Sequence, residues 1–302
     1  MSVLNSKRFS DESEAIRFVE SRVWPDGKPV CPHCGEIDSA GQLKGKSTRP
    51  GVWKCYSCRK PFTVKVGTIF EDSHVKIHIW LQAIALIAAS KKGMSANQLH
   101  RILGVTLKTA WFMAHRIRLA MAQTDGGMMG EGGEVVEVDE TYIGRVPGST
   151  VRRGPAHKEM VFSLVQRGGG VRSFHISGDK FDGIKDALAR NVAPEAVLHT
   201  DESNFYKSIG KCFADHQTVN HKDGEYARGN VTTNSIEGFF SVFKRGMKGV
   251  YQHCSSDHLH RYLAEFDFRF NNRTALGVDD GQRADRLLQG VVGKRLTYKT
   301  AD

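Results

Sequence analysis

At 302 residues, with 40% hydrophobic and 25% charged side chains, the chain has apolar material for a sizeable core and length for two or three domains, which excludes a disordered polypeptide. Its 43 Lys and Arg outnumber its 33 Asp and Glu, for a formal net charge of +10 and a pI near 9.3. That surplus favours a polyanionic partner, nucleic acid first, because phosphates shed condensed counterions as Lys and Arg replace them, although a basic protein without such a partner has the same count.

The opening, MSVLNSKRFSDESEAIRF, is polar and mixed in charge and lacks the basic region, apolar core and small-residue site of a secretory signal. The longest apolar stretch, Ile79 to Ala89, is too short to span a bilayer. A soluble, cytoplasmic protein is expected. In a reducing cytosol its six cysteines are expected as metal ligands or buried thiols and not as disulfides.

Four zones follow in chain order. Residues 1–72 hold a short amphipathic segment and the cysteine pairs; residues 73–124 are helical in pattern; residues 125–133, DGGMMGEGG, form a flexible linker; residues 134–302 form an α/β domain.

In the first zone Cys31-Pro-His-Cys34 and Cys55-Tyr-Ser-Cys58 are two CxxC pairs separated by twenty residues. Each pair can bend into a tight knuckle, and two knuckles close a tetrahedral zinc site. Gly35, Trp53 and Phe62 suit a zinc ribbon, a unit too small to fold without its metal. Four thiolates leave no position for water, so the Zn²⁺ is expected to be structural. His33 is expected at the surface, and Cys212 and Cys254 as ordinary thiols. Lys54, Arg59, Lys60 and Lys65 fit a DNA-contacting module or, equally, a solvated basic surface.

The second zone contains GMSANQLHRILGVTLKTAWFMAHRIRLAM. Ser95 is placed to cap a helix running to Leu103, Gly104 to end it, and Thr106 to cap the next, which is the pattern of a helix-turn-helix. Lys108, His115, Arg116 and Arg118 on the second helix are candidates for base or phosphate contact, of which Lys108, Arg116 and Arg118 are carried forward. A plain helical hairpin with a basic face is the other reading.

In the fourth zone EVVEVDETYIG, MVFSLVQR and VRSFHISG read as three strands, with Gly168, Gly169 and Gly170 as the turn between the second and third. A helix (FDGIKDALARNV), a fourth strand ending at Thr200, a fifth near Gln217 to Asn220 and two helices complete the pattern. A meander followed by alternating helices and strands predicts a mixed α/β sheet of the ribonuclease-H type.

Alternation along the first strand puts Val136 and Val138 on one face and Glu137 and Asp139 on the other, off the buried face. A carboxylate within a β-branched strand breaks a local rule, as functional sites do. Asp201 ends an apolar strand, where ligands bind in open α/β sheets, and it could equally cap the helix begun by Ser203 and Asn204. In Asn234-Ser-Ile-Glu237-Gly-Phe-Phe-Ser-Val-Phe-Lys244-Arg, the residues Ile236, Phe239, Phe240 and Phe243 recur at i, i+3, i+4 and i+7 and form a buried stripe. Glu237, Ser241 and Lys244 line the adjacent polar face, with Asn234 one turn earlier. Glu237 and Lys244, seven residues apart, project in nearly the same direction.

On CPHCG, CYSCRKPFTVKVGTIFEDS, VDETYIG, HTDES and TTNSIEGFFSVFKRGMKGVYQHCSSDHLHRYLAEFDFRFNNR, the chain resembles insertion-sequence transposases that join an amino-terminal zinc ribbon to a DDE domain, the ISXO-type or IS-fifteen-ninety-five group. The resemblance implies that Asp139, Asp201 and Glu237 are the catalytic triad and hold Mg²⁺, with Mn²⁺ as a substitute, and that Lys244 follows the glutamate to hold a phosphate. It implies cleavage of double-stranded DNA at inverted-repeat ends and joining to target DNA. Pairing two ends implies a homodimer or higher oligomer, in a bacterial cytoplasm and on the nucleoid when bound. Asn234, Arg245 and Lys248 join the candidate DNA contacts. Two positions depart from the family pattern: Thr232, where a histidine is common, and Phe240, where a tryptophan is common.

The helix from Ser256 to Asn272 sets Leu259, Tyr262, Leu263, Phe266 and Phe270 on one stripe, expected as core. His253, His258 and His260 are assigned no role. The rival readings are another ribonuclease-H-fold nuclease and a zinc-ribbon DNA-binding protein kept for regulation.

Overall fold

The computed structural model describes residues 5–122, 126–225 and 227–297. Two compact units result, one formed by residues 1–122 with 277–302, the other by residues 123–276.

In the first unit Asp11 opens α1 (Glu12–Val23) by accepting the N–H of Glu14 at 2.8 Å, satisfying one of the donors a helix start leaves open. Strands β1 (Ala40–Gln42), β2 (Trp53–Cys55) and β3 (Pro61–Phe62) follow as an antiparallel sheet. Three strands of two or three residues cannot enclose a core. Trp24 instead meets Trp53 and Phe62 edge to face at 5.9 and 6.1 Å, and Trp53 Nε1 donates to Glu20 Oε1 at 2.7 Å, which fastens the ribbon to the end of α1.

The long apolar stretch becomes α2 (Ile77–Ala89), with Ile77, Trp80, Leu81, Ala83, Ile84, Ile87 and Ala88 buried. Helices α3 (Ala96–Leu103) and α4 (Leu107–Met121) begin where expected: Ser95 accepts the N–H of Gln98, Thr106 that of Thr109, and Gly104 between them takes φ of 66°. Among the described residues no helix is long and apolar enough to cross a membrane.

Helix α9 (Asp280–Gln289), opened by a capping box between Asp279 and Gln282, packs on α1, α2 and α4. This differs from the expected domain of residues 134–302. Leu287 and Leu288 are buried in the first unit, and the Arg283 guanidinium donates to the Ala88 carbonyl at 3.1 Å, so the last segment belongs with the helices and not with the sheet.

In the second unit β4 (Val135–Ile143), β5 (Glu159–Gln166) and β6 (Val171–Ile176) form the expected meander, with Gly168 at φ of 74° in its second turn. After α5 (Lys180–Asn191), β7 (Val197–Thr200) returns parallel to β4; after α6 (Asn204–Ile209), β8 (Asp215–Thr218) adds parallel to β7. The five-stranded order β6-β5-β4-β7-β8, three antiparallel strands and then two parallel ones, is ribonuclease-H-like. A small pair, β9 (Ala227–Arg228) and β10 (Val231–Thr232), leads into α7 (Asn234–Gly246) and then α8 (Ser256–Asn271).

Both faces of the sheet are covered. Val136, Val138, Phe162 and Leu164 pack with Ile184 and Leu188 of α5 on one side, while Val161 and Val165 pack with Ile236, Phe239, Phe240 and Phe243 of α7 and Leu263 and Phe266 of α8 on the other. The Phe243 and Phe266 rings meet edge to face at 5.2 Å, so both predicted stripes are core. Residues 126–133 are not the expected free linker: Met129 is buried in the first of these clusters and pairs with Val192. Asp125 lies outside the described residues.

Candidate functional site

In the ribbon the Cys31 and Cys58 sulfurs lie 3.7 Å apart, as do those of Cys34 and Cys55, and all four fall within 4.8 Å of one another. A tetrahedron with Zn–S bonds of about 2.3 Å has sulfur–sulfur edges of about 3.8 Å, so the four thiols fit Zn²⁺. The Cys58 backbone N–H lowers the Cys55 thiol, while burial and the neighbouring cysteines raise Cys34, so the four sulfurs share their charge as one set. His33 is exposed, with Nε2 3.3 Å from the Pro61 carbonyl. Neither Cys212 nor Cys254 is in a disulfide, and Cys254 Sγ donates to the Ser255 carbonyl at 3.2 Å.

The acids gather at one end of the second unit's sheet. The parallel ladder between β4 and β7 ends at Glu137 opposite His199, and two residues further on the two chains carry Asp139 and Asp201. The Asp139 carboxyl is pushed up to about 8 by burial first, then by Glu140, Asp201 and Glu237, an all-acidic set of charges. Glu140, raised by burial, accepts the Tyr206 hydroxyl on the opposite face of the strand, and the Lys180 ammonium lowers it slightly. Tyr142 is driven to about 12 by burial and then by the same carboxylates, with Lys180 Nζ 4.9 Å from its ring centre. A divalent cation relieves this repulsion, and carboxylate oxygens suit hard ions such as Mg²⁺ or Mn²⁺.

Among the described residues only the cysteines bring three or more metal-type ligand atoms within 4.8 Å of one another. Glu237 sits on α7 with Oε1 3.1 Å from Thr233 Oγ1 and 3.3 Å from His221 Nε2, contacts that the sequence reading did not foresee. Asp201 Oδ1 accepts the Ser203 N–H at 3.0 Å, so this residue also assists the turn into α6.

Glu137 departs most from expectation. Its side chain is fully buried, not off the buried face, because α7 covers that side of β4. One carboxylate oxygen accepts the backbone N–H groups of Ser235 and Ile236 at 2.8 and 3.1 Å. The other accepts Ser235 Oγ at 3.0 Å and the Arg167 guanidinium at 3.0 and 3.3 Å. Arg167 further donates to the carbonyls of Asn230 and Thr232 at 2.7 and 3.2 Å and reaches His199 Nδ1 at 3.3 Å. A carboxylate on the Asp139 strand thus ties down the start of the helix that carries Glu237. The available signal was its place two residues before Asp139 on the same face, with a helix start of unsatisfied N–H groups to receive it.

Of the candidate DNA contacts, Lys108, Asn234, Arg245 and Lys248 are exposed, as is Lys244. Arg245 donates to Ser241. Arg116 and Arg118 are buried, at 5% and 3% exposure, which corrects the expectation that they reach DNA. The Arg116 guanidinium donates to the carbonyls of Ile69, Glu71 and Leu296 at 2.7, 2.6 and 3.2 Å and joins chain segments within the first unit. His115 is likewise buried.

In one unit lies a zinc ribbon and in the other a ribonuclease-H-like sheet, with Asp139 at the middle of β4, Asp201 just after β7 and Glu237 on α7; this is the architecture of a DDE-type transposase domain. Two domain models match: "Transposase zinc-ribbon domain" over residues 10–61 and "ISXO2-like transposase domain" over residues 131–271. The chain belongs to the zinc-ribbon insertion-sequence transposases with a DDE domain. It is 26% identical over 283 residues to an uncharacterized protein in transposable element ISH50 of Halobacterium salinarum, covering 87% of this chain and 92% of that one. Among solved structures it is similar to the Drosophila P element transposase strand transfer complex, at 10% identity and a TM-score of 0.28, covering 66% of this chain and 58% of that one. It is also similar to a pre-cleavage Mos1 transpososome, at 12% identity and a TM-score of 0.20, covering 65% and 77%.

Proposed function

We propose that the chain cuts double-stranded DNA at the inverted-repeat ends of its insertion sequence and joins the freed ends to target DNA. The observation that carries this reading is the placing of the acids: the β4–β7 ladder brings Asp139 level with Asp201, and burial with the neighbouring carboxylates of Glu140, Asp201 and Glu237, the last on α7, raises Asp139 to about 8.

Asp139, Asp201 and Glu237 would hold divalent Mg²⁺ or Mn²⁺. When bound, such ions activate the attacking oxygen and stabilise the leaving one. In the first reaction a water oxygen bonds to phosphorus as the P–O3′ bond breaks, leaving a 3′-hydroxyl and a 5′-phosphate. In the second that hydroxyl bonds to a target phosphorus, displaces a target 3′-oxygen and loses its proton; no covalent bond to the protein forms. Lys244, exposed two helical turns along the same face as Glu237, holds a phosphate of the DNA end. Asn234, Arg245 and Lys248 extend that face, and Lys108 offers a contact from the first unit. Glu137 positions Glu237 through the start of α7. Work on two ends at once calls for at least a dimer on DNA.

A strand-transfer assay with a duplex bearing the element's end tests this. Wild type with Mg²⁺ should yield joined product, and Asp201→Ala should lower it by at least about a thousandfold, as when a unit of transition-state stabilisation is lost. Equal activity in the two, or cleavage of RNA/DNA hybrid without joining, refutes the proposal.

A further inference from the structure

The segment between β4 and β5, residues 144–158, carries Arg145, Arg152, Arg153 and Lys158 and no acidic residue. Its base is built: the Val146 N–H donates to the His157 carbonyl at 2.9 Å, the Ser149 N–H to the Val146 carbonyl at 3.1 Å, and the Lys158 N–H to the Pro155 carbonyl at 2.9 Å. Arg145, exposed, bonds back onto the loop by donating to the Ser149 carbonyl. Arg152 and Arg153 are exposed, beside Val151 at 70% exposure, and among the described residues neither guanidinium engages a carboxylate.

The position of the loop is what gives these charges meaning. It leaves the carboxyl end of β4, four residues after Asp139, at the end of the sheet where β7 delivers Asp201. Asp139, Glu140, Asp201 and Glu237 repel any phosphodiester brought to them without metal. A duplex lying across that end must gain its attraction from cations beside the acids, and phosphate contacts are the part of DNA recognition that positions without reading sequence.

We propose that the β4–β5 loop is a duplex-DNA-binding arm, with Arg152 and Arg153 on backbone phosphates flanking the point of cleavage. This rests on the proposed function, and it is tested by binding alone. Fluorescence anisotropy of a labelled duplex carrying the element's end, in buffer without divalent ions, is measured across a range of monovalent salt for wild type, the Arg152→Ala/Arg153→Ala double variant, the corresponding double Lys variant and Asp201→Asn.

Each phosphate contact contributes a slope of about 0.9 in log affinity against log salt, so the alanine pair should flatten the slope by about 2 and weaken binding roughly 60-fold at about 0.1 M salt. The lysine pair should keep the slope. An alanine pair with the wild-type slope and affinity overturns the proposal, as does a lysine pair that loses as much as the alanine pair. Asp201→Asn should bind at least as well as wild type. Its failure to lose strand transfer would sink the catalytic reading and leave the binding result standing.

Discussion

Replacing Glu137 by Gln should cost about 3 kcal/mol of stability. The side chain is fully buried and accepts two backbone N–H groups of α7, one hydroxyl and the Arg167 guanidinium. An amide of the same shape keeps one acceptor oxygen and turns an NH₂ towards groups that are themselves donors. Removing one partner of a buried ion pair costs about 3–5 kcal/mol, and a carboxylate at a partly buried helix start contributes up to about 2. Arg167 is a third exposed and retains two carbonyl partners, which brings the sum towards the lower end. For a domain of this size about 3 kcal/mol lowers the melting temperature by roughly 6–12 °C. The assay is denaturant unfolding of the full chain followed by circular dichroism, run as a double-mutant cycle with Arg167→Gln. The two changes should be non-additive by at least about 1 kcal/mol, since each removes the same contact. Strict additivity, or a Glu137→Gln variant as stable as wild type, would refute the claim that this carboxylate secures α7.

Arg116→Ala leaves three carbonyls of the first unit without their donor, so it should destabilise by about 2–4 kcal/mol while the salt slope of DNA binding stays unchanged; a flattened slope in a stably folded variant would restore it as a DNA contact. Asp267, on α8, is half-buried against Ser173, whose N–H and hydroxyl it accepts, and is raised by burial to about 7. Its native pKa exceeds that of the unfolded chain, so its stabilising contribution is complete below about pH 4 and is lost as pH rises towards 7. Asp267→Asn should therefore remove a downward slope of stability, about 4 kcal/mol on the order-of-magnitude scale, between those limits in a melting series, and an unchanged slope would show that another group is responsible. Chelation of zinc should unfold the ribbon and release four thiols to a thiol reagent, with the far-ultraviolet signal of the sheet largely kept. Thiols that react at the same rate with and without chelator would mean that no metal is held there.

The reach of local pattern is visible residue by residue. Spacing alone identified the four-cysteine site, because two knuckles and one ion need only short-range geometry, and the caps Ser95, Gly104 and Thr106 lie where their backbone requirements put them. Period 2 and period 3.6 gave the meander and the α7 stripe, and with them the fold class. Arg116 and Arg118 show the limit: their charge reads as surface, yet α4 is buried from Met113 to Arg118, and a buried guanidinium that satisfies carbonyls looks the same in sequence as one that awaits a phosphate.

The zinc ribbon and the ribonuclease-H-like order of elements were therefore determined by the amino-acid sequence, since each depends on contacts between residues close in the chain or on a recurrent motif. Tertiary structure alone decided that Glu137 is buried beneath α7, that Met129 belongs to the core, that α9 returns to the first unit and that His221 and Thr233 meet Glu237. Each of these depends on which face of an element is covered by another far away in the chain, and periodicity says that a face exists without saying what will cover it.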